Sequence, residues 1–223
     1  MDKKKVIMKY GVILSSLYRL FGRNKFSIPN GNEVTYSGVF MKNCSICIRG
    51  VGNKIIIEPG LTRLYDTHIA IFASNAKIYI GTDCNFHGVS LYIEDGGEIN
   101  IGKHVTISGN TNIAVIEKRS VAIGNDCLFS ANIQIRVGDS HSILDSQTGK
   151  RINPSKDVLI GNHVWVGNSV NILKGSIIAD NSIIGTCSVV TGKSFPTNCI
   201  IGGIPAKVLK EGVTWDSNRL PIE

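Results

Sequence analysis

From Ile160 the chain reads IGNHVW, VGNSVN, ILKGSI, IADNSI and IGTCSV, and the next unit opens at Val190. Aliphatic residues at 160, 166, 172, 178, 184 and 190 thus fall at a period of six. The fifth place of each unit is small or β-branched: Val164, Val170, Ser176, Ser182 and Ser188. Neither an α-helix nor a two-residue alternation produces that pair of signals. A short strand followed by a corner does. The first place points inward and is large, the fifth points inward and is small, and Gly or Asn near the corner takes unusual backbone angles. Three units close a triangle of roughly eighteen residues, and triangles stacked at about 4.8 Å bond to one another so that the isoleucines merge into a single core. The expected fold is all-β, a parallel β-helix of hexapeptide repeats.

The pattern continues upstream with less regularity. Ile101, Ile107 and Ile113 open one coil, interrupted by extra residues at 117–120. Ile123, Phe129 and Ile135 open another, Ile80 and Phe86 mark an earlier one, and Ile57 the first or second. Cys84 and Cys127 fall in the small inward place and read as packing residues. Between Ile135 and Ile160, one unit of six leaves an excursion of nineteen residues, a loop over about 141–157 that holds Gly149, Asn153 and Pro154. Composition agrees, with 33 Ile and 18 Val against 12 Leu and 8 Ala. Branching at Cβ suits a pleated surface, so a helical bundle is excluded. The domain division expected is 1–25, a basic arm; 26–205, the β-helix; and 206–223, a C-terminal tail.

The net charge of +7 is unevenly placed. Residues 1–25 hold seven Lys and Arg against Asp2 alone, +6 in all, which leaves +1 for the remaining 198 residues. The body has no basic patch interleaved with aromatics, so no nucleic-acid partner is expected. Val6, Tyr10, Ile13, Leu14, Leu17, Tyr18 and Phe21 recur at three- and four-residue intervals and predict a helix over 2–21. The preferred reading is packing against the first coil or a neighbouring subunit. The alternative is a basic amphipathic helix resting peripherally on an anionic membrane, at the inner membrane for a cytoplasmic protein. Nothing resembles a secretory signal, because Lys9 and Arg19 interrupt the apolar stretch. The six cysteines are therefore expected as free thiols in the cytoplasm. Cys44 and Cys47 have zinc-knuckle spacing but no second ligand pair, and residues three apart on a strand face opposite ways.

The hexads, the run DVLIGNHVWVG from Asp157 to Gly167, and the ending GGIPAKVLK from Gly202 to Lys210 resemble the hexapeptide acyltransferases. Asp139-Ser-His141, Lys150-Arg-Ile-Asn153 and His163-Val-Trp165 are similar in particular to the capsule polysialic acid O-acetyltransferases. The resemblance spans about 55–215. It implies a left-handed coil, a homotrimer with active sites between subunits, acetyl-CoA as donor, no metal, and a polysaccharide or sugar acceptor. It also implies that His141 is the catalytic base and that Trp165 lies beside the thioester or the acceptor. Asn168, Thr186 and Thr191 follow the pantetheine arm, and Lys207 and Lys210 face the nucleotide phosphates. Lys193 stands one place away from the lysine of the usual Thr-Lys pair. Asn110 matches an acceptor-binding Asn, with Glu117 and Asp139 on the acceptor side.

The chemistry is consistent with this. A hydroxyl that attacks a thioester must lose its proton, and a neutral imidazole takes it at neutral pH. A rim of Lys118, Arg119, Arg136, Lys150 and Arg151 would favour an acidic glycan, unless local carboxylates neutralise it. His68, His87 and His104 read as turn or surface residues, and His163 sits in an outward place. Within the enzyme class the alternative is a small-sugar, antibiotic or amino-sugar N-acetyltransferase on the same scaffold, and two other classes use such a scaffold. A metalloenzyme like the γ-class carbonic anhydrases needs three converging histidines, and His104, His141 and His163 lack the close pair. A non-catalytic scaffold would only display loops.

Overall fold

A computed structural model describes residues 15–17 and 21–222. The chain winds through eight coils, 25–42, 45–65, 68–87, 89–107, 111–129, 134–166, 171–184 and 189–203. Each coil gives one strand to each of three parallel sheets, here A, B and C in the order the chain visits them. A last strand, Ala206–Glu211, runs antiparallel to Cys199–Gly203 and widens sheet C, so the chain leaves the sheets at 212. Ser15, Ser16, Leu17 and Phe21 are helical, and the rest of the expected helix over 2–21 lies outside the described residues.

The inward places are filled as the period requires. Ile160, Val166, Ile172, Ile178, Ile184 and Val190 are buried in one column, and Val164, Val170, Ser176, Ser182 and Ser188 are buried at the fifth place. The serines need partners there, and each finds a carbonyl: Ser176 Oγ donates to Leu173 O and Ser188 Oγ to Gly185 O, both at 2.6 Å, and Ser182 Oγ to Pro196 O at 3.1 Å. Burial raises the Cys84 thiol to about 11 and the Cys127 thiol to about 12. Both are packing groups, not nucleophiles.

Two expectations need correction. Coils of eighteen residues occur only near the C-terminal end, where Asn171 pairs with Val189. Further back Ser90 pairs with Asn112, twenty-two residues on. The sheet A strands there are five or six residues long, as in Val89–Glu94 and Thr111–Val115, against two or three in Asn171–Leu173 and Val189–Val190. The longer side adds an inward residue per coil, such as Ile93 or Val115, and pushes out the corner between sheets A and B.

The second correction concerns the corners. The left-handed residue sits at the fourth place of the unit and is mostly not glycine: Asp83, His104, Asn110, Asp126, Asn132, His163, Ser169, Asn181 and Cys187 have φ between +53° and +60°. Several of their side chains bond one another up the corners, as where Asn110 Nδ2 donates to Asn132 Oδ1 at 3.0 Å. Gly81, Gly102 and Gly124, at the second place, are needed because successive backbones meet there. A Cβ on each would lie 2.6–2.7 Å from the carbonyl carbon of Gly102, Gly124 or Gly161 in the next coil. Gly124→Ala is therefore expected to lower stability by about 1–3 kcal/mol, since backbone must shift. At Gly185, in the equivalent place, the nearest atom is 3.6 Å away, so Gly185→Ala serves as the control. Equal melting temperatures for the two variants would refute the close-approach account.

Candidate functional site

The nineteen-residue excursion leaves sheet A after Gln134–Arg136 and returns at Val158–Ile160 in sheet B. Its arms pair as a small hairpin: Ile152 N donates to Ile143 O at 2.9 Å and Asp145 N to Lys150 O at 2.8 Å. Asp145 closes the tip by accepting from Thr148 N at 2.7 Å. Ile143, Leu144 and Ile152 nevertheless remain 54%, 56% and 59% exposed, an apolar face left uncovered in the single chain.

A polar clamp holds the base of this hairpin. Asn153, 6% exposed, donates from Nδ2 to Asp139 Oδ2 and to His141 O, both at 2.8 Å. Its Oδ1 accepts from Ile143 N at 2.8 Å and from Arg151 Nε at 3.1 Å. Lys174, one coil on, pairs with Asp139, and Arg151 pairs with Glu117, one coil back. Ser155 N donates to Glu117 Oε2 at 3.1 Å. The Lys174 ammonium and the Asn153 amide hold the Asp139 carboxyl below the usual aspartate range. The Ser155 N–H, with Arg151 beside it, does the same for Glu117. A Cβ at Gly138 would lie 2.0 Å from Ser155 Oγ, so a larger residue here would displace the buried Ser155 side chain.

His141 emerges from the clamp exposed, with its backbone held and its ring without a hydrogen-bond partner among the described residues. It opens on a cavity of about 330 Å³ whose walls include Tyr92, Glu117, Arg136, Gly138, Asp139 and Arg151. Arg136, Gly138 and Asp139 also border a second cavity along the same corner, lined by Lys156, Leu173, Lys174, Thr191 and Gly192. Its lining is largely apolar, with the Thr191 hydroxyl and the Lys156 ammonium at its edge and Lys174 engaged by Asp139. Of the expected cationic rim, Arg136 and Arg151 face the His141 cavity, Arg151 neutralised by Glu117. Lys118 and Arg119 turn to another groove beside Glu98 and Asp157, and Lys150 is exposed on the hairpin.

The expected site residues separate into two sets. Glu117, Asp139, His141, Thr191 and Lys193 lie at the corner between sheets A and B. Asn110, Asn168 and Thr186 lie at the corner between C and A, with Trp165, Lys207 and Lys210 in sheet C. Asn168 O accepts from Cys187 N at 2.8 Å, so Asn168 and Thr186 are stacked in consecutive coils. One chain brings the members of each set near one another and does not bring the sets together. Glu117 and Asp139, expected against the acceptor, are engaged in the clamp and hold the hairpin.

Trp165 projects from sheet C, 40% exposed. Its neighbour is a residue that the motifs and spacing did not single out. Trp215, from the segment after the last strand, stacks on His163 with ring centroids 4.3 Å apart and planes at 9°, and its centroid is 6.1 Å from that of Trp165. The chain has two tryptophans in all, and that scarcity is the one signal that could have drawn attention to Trp215. His104 is held in its corner ladder by Asp126, 2.9 Å from Nδ1, and lines a groove with His163 and Trp215 away from His141. Among the described residues no three His, Cys, Asp or Glu side chains are grouped to hold a metal ion.

Among the described residues, the solenoid thus presents at its long excursion an imidazole without a hydrogen-bond partner beside a groove along one corner. The signature of the bacterial transferase hexapeptide (six repeats) family matches residues 157–192. The chain is 35% identical to the polysialic acid O-acetyltransferase of Neisseria meningitidis over 190 residues, 75% of this chain and 87% of that protein. It is 36% identical to the polysialic acid O-acetyltransferase of Escherichia coli O1:K1 / APEC over 54% of this chain, which spans 38% of that longer protein. The solved structure of the polysialic acid O-acetyltransferase OatWY superposes with a TM-score of 0.76 at 31% identity, covering 89% of this chain and 90% of that one. The chain belongs to the hexapeptide-repeat O-acetyltransferases, enzymes that move an acetyl group from acetyl-CoA to a hydroxyl.

Proposed function

We propose that this protein acetylates a hydroxyl of a bacterial surface polysaccharide or its precursor, in sites shared between neighbouring copies of a homotrimer. One observation carries the reading: the two sets of site residues lie on separate edges of a single chain, so a complete site needs a second copy. The uncovered apolar face of the hairpin supports it, because Ile143, Leu144 and Ile152 border the segment that presents His141. The acceptor class follows from the polysaccharide named for the relatives.

In this reading His141 takes the proton of the acceptor hydroxyl as that oxygen bonds to the acetyl carbonyl carbon. It returns the proton to the sulfur as the carbon–sulfur bond breaks, leaving the acetyl ester and free CoA. Both substrates bind at once, so no enzyme nucleophile is needed. Trp165 walls the channel beside the thioester, and the groove bordered by Thr191, Lys156 and Lys174 receives the coenzyme.

The test uses two impaired variants, His141→Ala and Trp165→Ala, assayed with labelled acetyl-CoA and a panel of capsular and lipopolysaccharide glycans. Refolded together in equal amounts, they place an intact His141 edge beside an intact Trp165 edge in about one quarter of the sites of a trimer assembled at random. Activity returning toward that level supports a shared site. A mixture no more active than its components sinks the shared site, and acetylation of none of the glycans sinks the acceptor class.

A further inference from the structure

We propose that Trp215 is a positioning residue for Trp165: the C-terminal segment is strapped back along the coils so that a second indole holds the first in the orientation that receives the coenzyme. The proposal rests on the reading of Trp165 as part of the coenzyme wall.

The strap is tied to the coils at two points and closed by a turn of its own, all within six residues. Val213 N donates to Asn198 O at 2.9 Å, at the corner between sheets B and C. Trp215 Nε1 donates to His163 O at 2.8 Å while its ring lies flat on the His163 imidazole. Asp216 Oδ1 then accepts from Asn218 N at 2.7 Å and from Asn218 Nδ2 at 3.0 Å, which closes a turn. The platform under the indole is itself locked. His163 holds the left-handed corner conformation at φ +53°, and its Nδ1 is 3.1 Å from Asn181 Oδ1. Trp215 is thus tied to the backbone two residues before Trp165, on a rigid coil rather than a loose tail.

Trp165 needs such a support. Its partners on the adjoining sheet C strands are Leu128 and Ile183, aliphatic residues that offer no plane against which an indole can be fixed. An exposed indole on a flat strand face samples several rotamers, and a ligand that stacks on it must pay to select one. Trp215 is inclined at 47° to it with the centroids 6.1 Å apart, while Trp165 stays 40% exposed. Aromatic pairs in this tilted range attract each other beyond their buried area.

The full-length protein is assayed as Trp215→Ala, Trp215→Phe, Trp165→Ala and the double variant, each checked for an unchanged melting profile. Trp215→Leu, which keeps apolar bulk but no ring, replaces the alanine variant if that one loosens the strap enough to impair folding. The expected result for Trp215→Ala is an acetyl-CoA KM raised about fivefold with kcat little changed, the scale of one aromatic pair. Trp215→Phe restores most of the affinity. The double variant is no weaker than Trp165→Ala alone, because the second ring acts through the first. Coupled indoles also give paired circular dichroism bands of opposite sign, lost in either single variant. If Trp165→Ala weakens coenzyme binding while Trp215→Ala does not, or if the two losses multiply, the positioning role is overturned and the coenzyme wall stands. If Trp165→Ala itself leaves KM and kcat untouched, the reading of the wall fails and takes this proposal with it.

Discussion

His141→Ala is expected to lower the rate of acetyl transfer about a thousandfold, with the melting temperature and oligomeric size of the parent retained. The magnitude is that of a positioned general base, which supplies roughly two to four powers of ten. Fold and assembly survive because the ring is exposed and makes no hydrogen bond among the described residues, while the backbone carbonyl that anchors position 141 to Asn153 is present in any residue. The affinity for acetyl-CoA should change little, since removal of a base acts on the transition state and not on ground-state binding. Steady-state rates with labelled acetyl-CoA, read beside thermal melting and light scattering, decide the matter. A variant that retains a tenth or more of the parent rate would disprove the role assigned to His141.

The second large effect is expected one step removed from the chemistry. Asn153 is the keystone of the clamp: its side chain bonds Asp139, His141, Ile143 and Arg151 from both arms of the hairpin. Asn153→Ala removes all four bonds at once and leaves Asp139 held by Lys174 alone. The solenoid below is untouched, because the core column ends at Val137 and resumes at Val158. The prediction is therefore local. Amide exchange across 139–155 should quicken while the melting temperature moves little. The value of kcat should fall about a hundredfold, since a displacement of the base by an ångström costs that much. Asn153→Asp tests the same point differently, because it sets a second carboxylate against Asp139 and removes both donors. Parent-like kcat in both variants would mean that the clamp does not position His141.

The coils were legible in the sequence because their signal is local and repeated. A large aliphatic residue every sixth place and a small one four places later is dictated by which way each side chain of a short strand points, and neighbouring units confirm one another. The same logic located the excursion, by counting what one unit of six left over. It misjudged the coil length upstream, since a side lengthened by one inward residue keeps the alternation and breaks the period. It misjudged the glycines because close approach between coils cannot be told from a turn preference along a single strand. The resemblance named His141 and Trp165 but had no means of assigning Glu117 and Asp139 to a clamp.

The sequence by itself determined the solenoid, its inward columns and the position of the protruding loop, and it offered candidate residues for acetyl transfer. Only the tertiary structure decided which of those residues meet. Glu117 reaches Ser155 across 38 residues, Lys174 reaches Asp139 across 35, and Trp215 reaches His163 across 52. Such contacts depend on how coils of unequal length stack and on where the chain turns back after the last one. A period records the direction of a side chain from its own strand, and it carries no information on what another coil, or the returning tail, sets against it.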